Sequence, residues 1–484
     1  MIKAIIYILQ TGVLFCFAAC HQKTSQSDSS GKQKPNIVFI MADDLGYGDL
    51  GCYGQTRIPT PNIDRLAREG LRFTQFYAGS TVCAPSRSSL MTGLHTGHTP
   101  IRGNKEVQPE GQSPLPSGSV TLAQLLHAEG YVTGAFGKWG LGAPGSEGDP
   151  IAQGFDAFYG YNCQRLAHNY YPDHLWDDTS KVRLTDNAEG AFGTYAPQRI
   201  HEKALEFVQR HRDEPFFLYY PTTIPHAELA VPDSLIAKYH GRFLPEKAYQ
   251  GVDSGDHFRQ GAYASQQECH AAFAAMVTLL DDQVGELVRM IDELGLGENT
   301  LIFFTSDNGP HLEGGADPDY FDSNGPFRGY KRDVTEGGIR VPMIARWTGT
   351  IQPGGESDVA LAFWDVWPTI QDLNNTPTSG DGISFLPSIT GVGTQAEHEY
   401  LYWEFHEMKG RVAIREGNWK LIRYDLTAAT PGPWSLYDLS QDPGERNNVA
   451  NDHPDVVKRL EQKIRDVRTE SEVFPLSTAQ ILTD

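Results

Sequence analysis

The chain has 484 residues, 39% hydrophobic and 21% charged, the balance of a folded soluble protein with room for two or three folding units or one long α/β domain and a small companion. A formal net charge of -21 and the lack of any basic run exclude a nucleic-acid binder. Any site for an anionic ligand must therefore be positive locally.

The opening stretch, MIKAIIYILQTGVLFCFAAC, sets Lys3 ahead of an apolar core and the small pair Ala18-Ala19 ahead of Cys20. It is too short for a membrane span and runs directly into polar residues, which reads as an export signal. The FAAC ending resembles a bacterial lipoprotein box. That implies a signal peptide at 1–19, a lipid anchor to the membrane at Cys20, a polar tether at 20–34, and a periplasmic or cell-surface location. A simple signal cleaved nearby is the alternative. Of the six cysteines, Cys16 and Cys20 belong to the leader. Cys52, Cys163 and Cys269 show no spacing for a disulfide framework or a zinc site.

Four later segments share one pattern. Ile37 to Met41 is apolar and stops at Asp43-Asp44; YVTGAFGKWG stops at Lys138; PFFLYYPTTIPH reaches His226; Leu301 to Phe304 stops at Asp307-Asn308. Short continuous apolar runs of this kind predict fully buried strands of a largely parallel sheet. Helical spacing of Leu122, Leu125 and Leu126 predicts a helix before Gly130. A longer helix is expected to open on the capping box Ser265-Gln-Gln-Glu268 and to end at Gly295. Alternating strands and helices define an α/β sandwich, in which ligands bind beyond the carboxyl ends of the strands. All four runs deliver their polar residues to that edge. After residue 375, NNTPTSGDG reads as a linker, followed by short aromatic strands and a helix near Val456 to Val467. The expected organisation is a catalytic α/β domain at 35–375 and a subdomain at 376–484 with a small antiparallel sheet.

Asp43, Asp44, Asp307 and Asn308 are hard oxygen ligands with no imidazole or thiolate among them, which suits calcium or magnesium better than zinc. Cys83, in STVCAPSRSSLMTG, precedes Pro85, a natural first-turn residue. The cysteine therefore falls at a helix N-terminus, where anions are favoured, with Arg87 one turn on.

CAPSRSSLMTG resembles the signature of the type I sulfatases, C-x-P-S-R-x-x-x-L-x-T-G. ADDLGYGD, GKWGLG, the Pro-His pair at 225–226, SDNGPH, RGYKRDVTEGGIRVP and LYDLSQDPGERNN are similar to further landmarks of that family, in the same order. The resemblance spans nearly the whole mature chain and implies an alkaline-phosphatase-like sandwich. It further implies that a maturation enzyme oxidises Cys83 to formylglycine, whose hydrate is the nucleophile, and that Asp43, Asp44, Asp307 and Asn308 bind calcium. Arg87 would steady the hydrated aldehyde, Lys138 and Lys331 would neutralise the sulfate oxygens, and His226 would protonate the departing alcohol. One departure stands out. Many members read G-K-W-H-L-G, with the histidine near the diol as base, whereas this chain has Gly140 there. His311 and His168 are the candidates to replace it, with His311 preferred.

Export and extra polar-aromatic loops point to a sulfated glycan. Candidate contacts are Arg102, Asn104, His168, Tyr171, His311, Glu313, Glu404 and His406. GYNCQRLAHNYYP and NGPHLEGGADP resemble segments of bacterial sulfatases acting on galactose-type sugars, including N-acetylgalactosamine 6-sulfate. Two alternatives stay open: a phosphate ester or phosphonate hydrolase of the same superfamily, and a glycan-binding lipoprotein that has lost catalysis.

Overall fold

In the computed structural model, which describes residues 34–482, the four apolar runs become the strands Asn36–Ala42, Val132–Lys138, Phe216–Pro221 and Thr300–Ser306. They lie side by side and parallel at the centre of a ten-stranded sheet, in the order Thr300–Ser306, Asn36–Ala42, Phe216–Pro221, Val132–Lys138. The export signal, Cys20 and the tether before Lys34 lie outside the described residues.

The reason these runs show no alternation is visible in the core. Val38 and Ile40 pack into one apolar cluster with Leu218, Ile302 and Phe304, while Ile37, Phe39 and Met41 pack into another with Phe217, Leu301 and Phe303. Side chains alternate between the faces of a strand, so a strand covered on both sides must be apolar throughout. The helix Cys269–Glu293 covers the first face through Phe273, Met276, Val277 and Leu280. The helix Leu122–Ala128, capped by Thr121 and Gln124, covers the second through Leu122 and Leu126.

Beyond the centre the sheet is mixed. Ala157–Tyr161 continues it in parallel and is followed by the antiparallel His174–Asp177 and Ser180–Arg183; Met343–Arg346 runs antiparallel on the other side. Residues 401–438 form a separate four-stranded antiparallel sheet. The helix Pro454–Asp466 seals one face of it with Val456, Leu460 and Ile464. Trp403, Ala413 and Ile422 on the other face pack with Tyr77 and Trp364 of the larger body.

The long helix starts later than expected. The Ser265 N–H and Oγ both donate to Asp253, at 2.8 and 2.6 Å, and Gln266 pairs with Tyr249 as an isolated bridge, so this stretch is drawn out and the helix begins at Cys269. Two short helices, Leu386–Thr390 and Thr478–Leu482, carry no clear periodic signal. Ile389 of the first, and Phe385 just ahead of it, nevertheless join the core of the large sheet.

Candidate active site

In-register pairing brings the polar strand ends together. Ala42 lies opposite Ser306, so Asp43 and Asp307 leave neighbouring strands at one level. Against this edge sits the helix Cys83–Thr92, every residue of which is buried. Its first turn needs no N–H from Pro85, since first-turn amides have no partner within a helix. Val82, at the cap position, provides no side-chain bond; instead the Ala84 N–H donates to Asn104 Oδ1 at 3.0 Å. The helix closes on Gly93 at φ 69°, where a Cβ would stand 2.5 Å from Trp367. Only glycine combines that backbone with that contact.

Cys83 Sγ faces Lys138 Nζ at 3.3 Å, Asp43 Oδ1 at 3.5 Å and Asp44 Oδ1 at 4.0 Å. Burial holds its thiol far above the ordinary range, against the pull of Lys138 and Lys331, so it is not a ready thiolate. One turn on, Arg87 donates through Nε and Nη2 to Asp307 Oδ2, at 3.1 and 2.8 Å, and through Nη1 to the Lys138 carbonyl. Its guanidinium is thus held by Asp307 and a main-chain oxygen close to Cys83.

Each remaining aspartate has its own ammonium: Lys138 Nζ lies 2.7 Å from Asp43 Oδ2, and Lys331 Nζ 2.7 Å from Asp44 Oδ2. Burial pushes the Asp43 pKa up, but Lys138, Arg87 and Lys331 outweigh it and hold the group at about 2. Asp307 goes the other way, to about 6, through burial and the nearby Asp43 charge. Asp44 adopts a left-handed φ of 62°, a backbone state that costs a non-glycine residue on the order of 1 kcal/mol and collects at functional sites.

Asp43, Asp44, Asp307 and Asn308 are all 0% exposed. Asn308 Nδ2 donates to Asp44 Oδ1 at 2.6 Å, while its Oδ1 is buried with no partner among the described residues. An orphaned acceptor amid three carboxylates is a poor arrangement for an apo protein and a good one around a hard divalent cation. The donor set fits calcium.

His226 is held well below the imidazole range by burial and by Lys331 and Lys138. Its Nδ1 donates to the Ala227 carbonyl at 2.5 Å, which leaves the Nε2 lone pair facing Lys331 Nζ at 2.9 Å. Its ring is stacked between His168, 5.0 Å away, and His311, 5.2 Å away. Both nitrogens of His311 are engaged: Nε2 donates to the Pro225 carbonyl at 3.3 Å, and Nδ1 faces the Glu313 amide and carboxylate at 3.2 and 3.3 Å. His168 donates Nδ1–H to the Gly261 carbonyl at 3.0 Å, and burial, with Lys138 and Lys331, holds its pKa near 4.

The expected sugar contacts divide. Glu313 pairs with Arg332 beside Lys331; the Arg332 side chain, 39% exposed and set at a left-handed φ of 80°, escaped the sequence reading because it is one charge in a run of several. Arg102 and Glu404 are buried and paired at 2.8 Å. Asn104 caps the helix of Cys83, and His406 Nδ1 approaches the Arg102 carbonyl at 3.3 Å. Tyr171 packs edge-on to Phe192 and under Arg259.

A largely parallel α/β sandwich whose strand ends gather carboxylates, lysines and a buried helix N-terminus defines a hydrolase site for anionic esters. The sulfatase family model matches residues 35–376, and the model for the N-sulphoglucosamine sulphohydrolase C-terminal region matches 326–470. Human arylsulfatase A is 33% identical over 88% of this chain and 86% of its own length. An N-acetylgalactosamine-6-O-sulfatase of Bacteroides thetaiotaomicron is 29% identical over 93% and 96%. Among solved structures, Ps i-CgsB in complex with k-i-k-neocarrahexaose superposes with a TM-score of 0.75 at 26% identity, over 93% and 96% of the two chains. The chain belongs to the sulfatase family and is a sulfuric ester hydrolase.

Proposed function

We propose that this hydrolase removes sulfate from a sulfated carbohydrate, with galacto-configured units such as N-acetylgalactosamine 6-sulfate as its substrate class. The observation that carries the reading is the placement of Cys83 Sγ 3.3 Å from Lys138 and 3.5 Å from Asp43, at the head of a buried helix. The substrate class is supported by the similarity, over nearly the full length of both chains, to the bacterial N-acetylgalactosamine-6-O-sulfatase.

In this reading Asp43, Asp44, Asp307 and Asn308 would hold calcium, which would supply Lewis-acid polarisation of the sulfate, and Cys83, converted to formylglycine, would supply the nucleophilic hydroxyl. The chain's own residues do the rest. Lys138 and Lys331 set two ammonium groups against the sulfate oxygens in a dry site, where such charges act strongly. His226 is the general acid for the departing alcohol oxygen, with its Nε2 2.9 Å from Lys331 Nζ. Arg87 keeps Asp307 and the Lys138 main chain in place. Cys83 is 1% exposed, so the maturation enzyme has to meet the chain before it folds. Export and a lipid anchor at Cys20 complete the reading.

A panel of N-acetylgalactosamine, galactose, N-acetylglucosamine and uronate sulfates, run beside 4-nitrophenyl sulfate and 4-nitrophenyl phosphate, tests it. Sulfate release from the galacto-configured sugars is expected; release confined to another sugar removes the substrate class. The mass of the peptide holding position 83, from protein made in a host with the maturation enzyme, tests the aldehyde.

A further inference from the structure

We propose that Gln164 is a substrate-contacting residue of this site, its amide filling the space into which a side chain at position 140 would point. The inference rests on the carbohydrate-sulfatase reading above.

Gly140 follows Lys138 by two residues and sits at φ 75°. A Cβ built on it would lie 2.2 Å from Gln164 Nε2 and 2.9 Å from Gln164 Cδ. The position is locked from the main chain: Lys138 pairs with Tyr161 in register, the Trp139 N–H donates to the Tyr161 carbonyl at 2.9 Å, and the Gly140 N–H donates to the Asn162 carbonyl at 3.0 Å. Gln164 therefore leaves the carboxyl end of the strand next to the one that delivers Lys138, at the ligand-binding edge of the sheet.

Its chemistry is unfinished. Gln164 is 5% exposed, and neither Nε2 nor Oε1 has a partner among the described residues. Asn162 on the same turn and Gln112, from an earlier loop that bonds to Gly142, share the deficit. Asn162 Oδ1 is unpartnered, as are both amide atoms of Gln112, whose main-chain N–H donates to the Gly142 carbonyl at 2.9 Å. A buried amide without partners destabilises a fold, so a complementary ligand is the simplest reason to keep one. A sugar sulfate offers both halves of the match: sulfate and ring oxygens accept from Nε2, and a hydroxyl donates to Oε1. A neutral amide takes no proton at working pH. The residue therefore orients the substrate and does not act as the base that an imidazole at position 140 would have been.

The experiment uses Gln164→Met, an apolar side chain of similar shape, in a Cys83→Ala background that binds without turnover. Calorimetry with methyl N-acetylgalactosaminide 6-sulfate is expected to give a dissociation constant at least tenfold weaker than in Cys83→Ala alone. The melting temperature without ligand is expected to hold or rise, since the unpartnered amide is gone. Gln164→Glu keeps the size and adds a charge that repels sulfate, and should weaken binding at least as much. In the active enzyme, the ratio of kcat/KM on the sugar sulfate to that on 4-nitrophenyl sulfate, which has no hydroxyls, should fall tenfold or more in Gln164→Met. An affinity and ratio within twofold of the parent, or unchanged affinity with a lowered melting temperature, would show that the amide serves the fold or an internal water and would overturn the proposal. If Cys83→Ala alone binds none of the sugar sulfates, the carbohydrate reading fails, and this inference with it, before any Gln164 variant is compared.

Discussion

Two clusters of buried charge in this protein look alike by composition and differ in how completely they are matched. Around Glu404, Arg102 Nη1 donates to Oε1 at 2.8 Å, Arg468 Nε and the Tyr402 hydroxyl donate to Oε2 at 2.7 and 2.8 Å, and the spare guanidinium nitrogens reach the Thr469 and Thr478 hydroxyls and the Leu476 carbonyl. Around Asp43 and Asp307, equally buried, one carboxyl is held at about 2 and the other raised to about 6, and an amide oxygen is left without a partner among the described residues. The first cluster is closed and binds the small sheet to the residues after the Cys83 helix. The second leaves the Asn308 oxygen unmatched among the described residues. Completeness of pairing, rather than burial or charge, separates a structural network from a reactive one.

The largest effect that sharpens this contrast lies at Cys83. Cys83→Ala is expected to lower kcat on any sulfate ester by on the order of a thousandfold or more, because the residue is the proposed source of the nucleophile, while leaving the melting temperature nearly unchanged. Single-turnover and steady-state assays on 4-nitrophenyl sulfate read it; turnover within tenfold of the parent would move the nucleophile elsewhere.

Glu404→Ala should do the reverse. It leaves Arg102 and Arg468 buried without their carboxylate, a change that costs about 3–5 kcal/mol in comparable buried pairs. Denaturant or thermal melting should show that loss. A midpoint equal to the parent's would mean the network is dispensable and Glu404 free for another role.

The open cluster can also be closed from outside. Calcium at about a hundred times its dissociation constant stabilises the folded chain by about 2.7 kcal/mol through mass action, so the melting temperature of the metal-stripped protein should climb with calcium. Asp307→Ala and Asn308→Ala should flatten that response. An identical climb in those variants would place the ion away from these four residues.

The contrast also explains what was legible in the sequence. The four central strands are unbroken apolar runs because each is covered on both faces, and their ends are where polar residues must appear, so Asp43, Lys138 and Asp307 stood out together. The Arg102–Glu404 pair was invisible as a pair: its members are 302 residues apart, and each alone looks like a loop residue open to a sugar. Gln164 was missed for a related reason, since a single amide in a loop has no periodicity and its missing partners are a property of three-dimensional packing. The late start of the Cys269–Glu293 helix turned on Asp253, an acceptor distant in sequence that captured Ser265 before it could cap.

The smallest effect is expected at Asn104, which joins the two kinds of role. Its Oδ1 takes the Ala84 N–H, an amide that would otherwise lack a partner in the first turn of the helix holding Cys83, and its own N–H donates to Glu407 Oε1 at 2.8 Å. Asn104→Ala removes the first bond and keeps the second. Loss of a cap of this kind costs about 1 kcal/mol of stability. Because the freed amide belongs to the residue after Cys83, the helix start should loosen where the reacting group is held, and kcat should fall by a few-fold with KM less affected. Asn104→Asp keeps the acceptor and should restore the cap, although its charge adds to an already anionic edge. If Asn104→Ala instead raises KM for sugar sulfates while kcat and the melting temperature hold, the amide meets the substrate rather than the helix, and the division between closed and open clusters would have to be redrawn to place it on the ligand side.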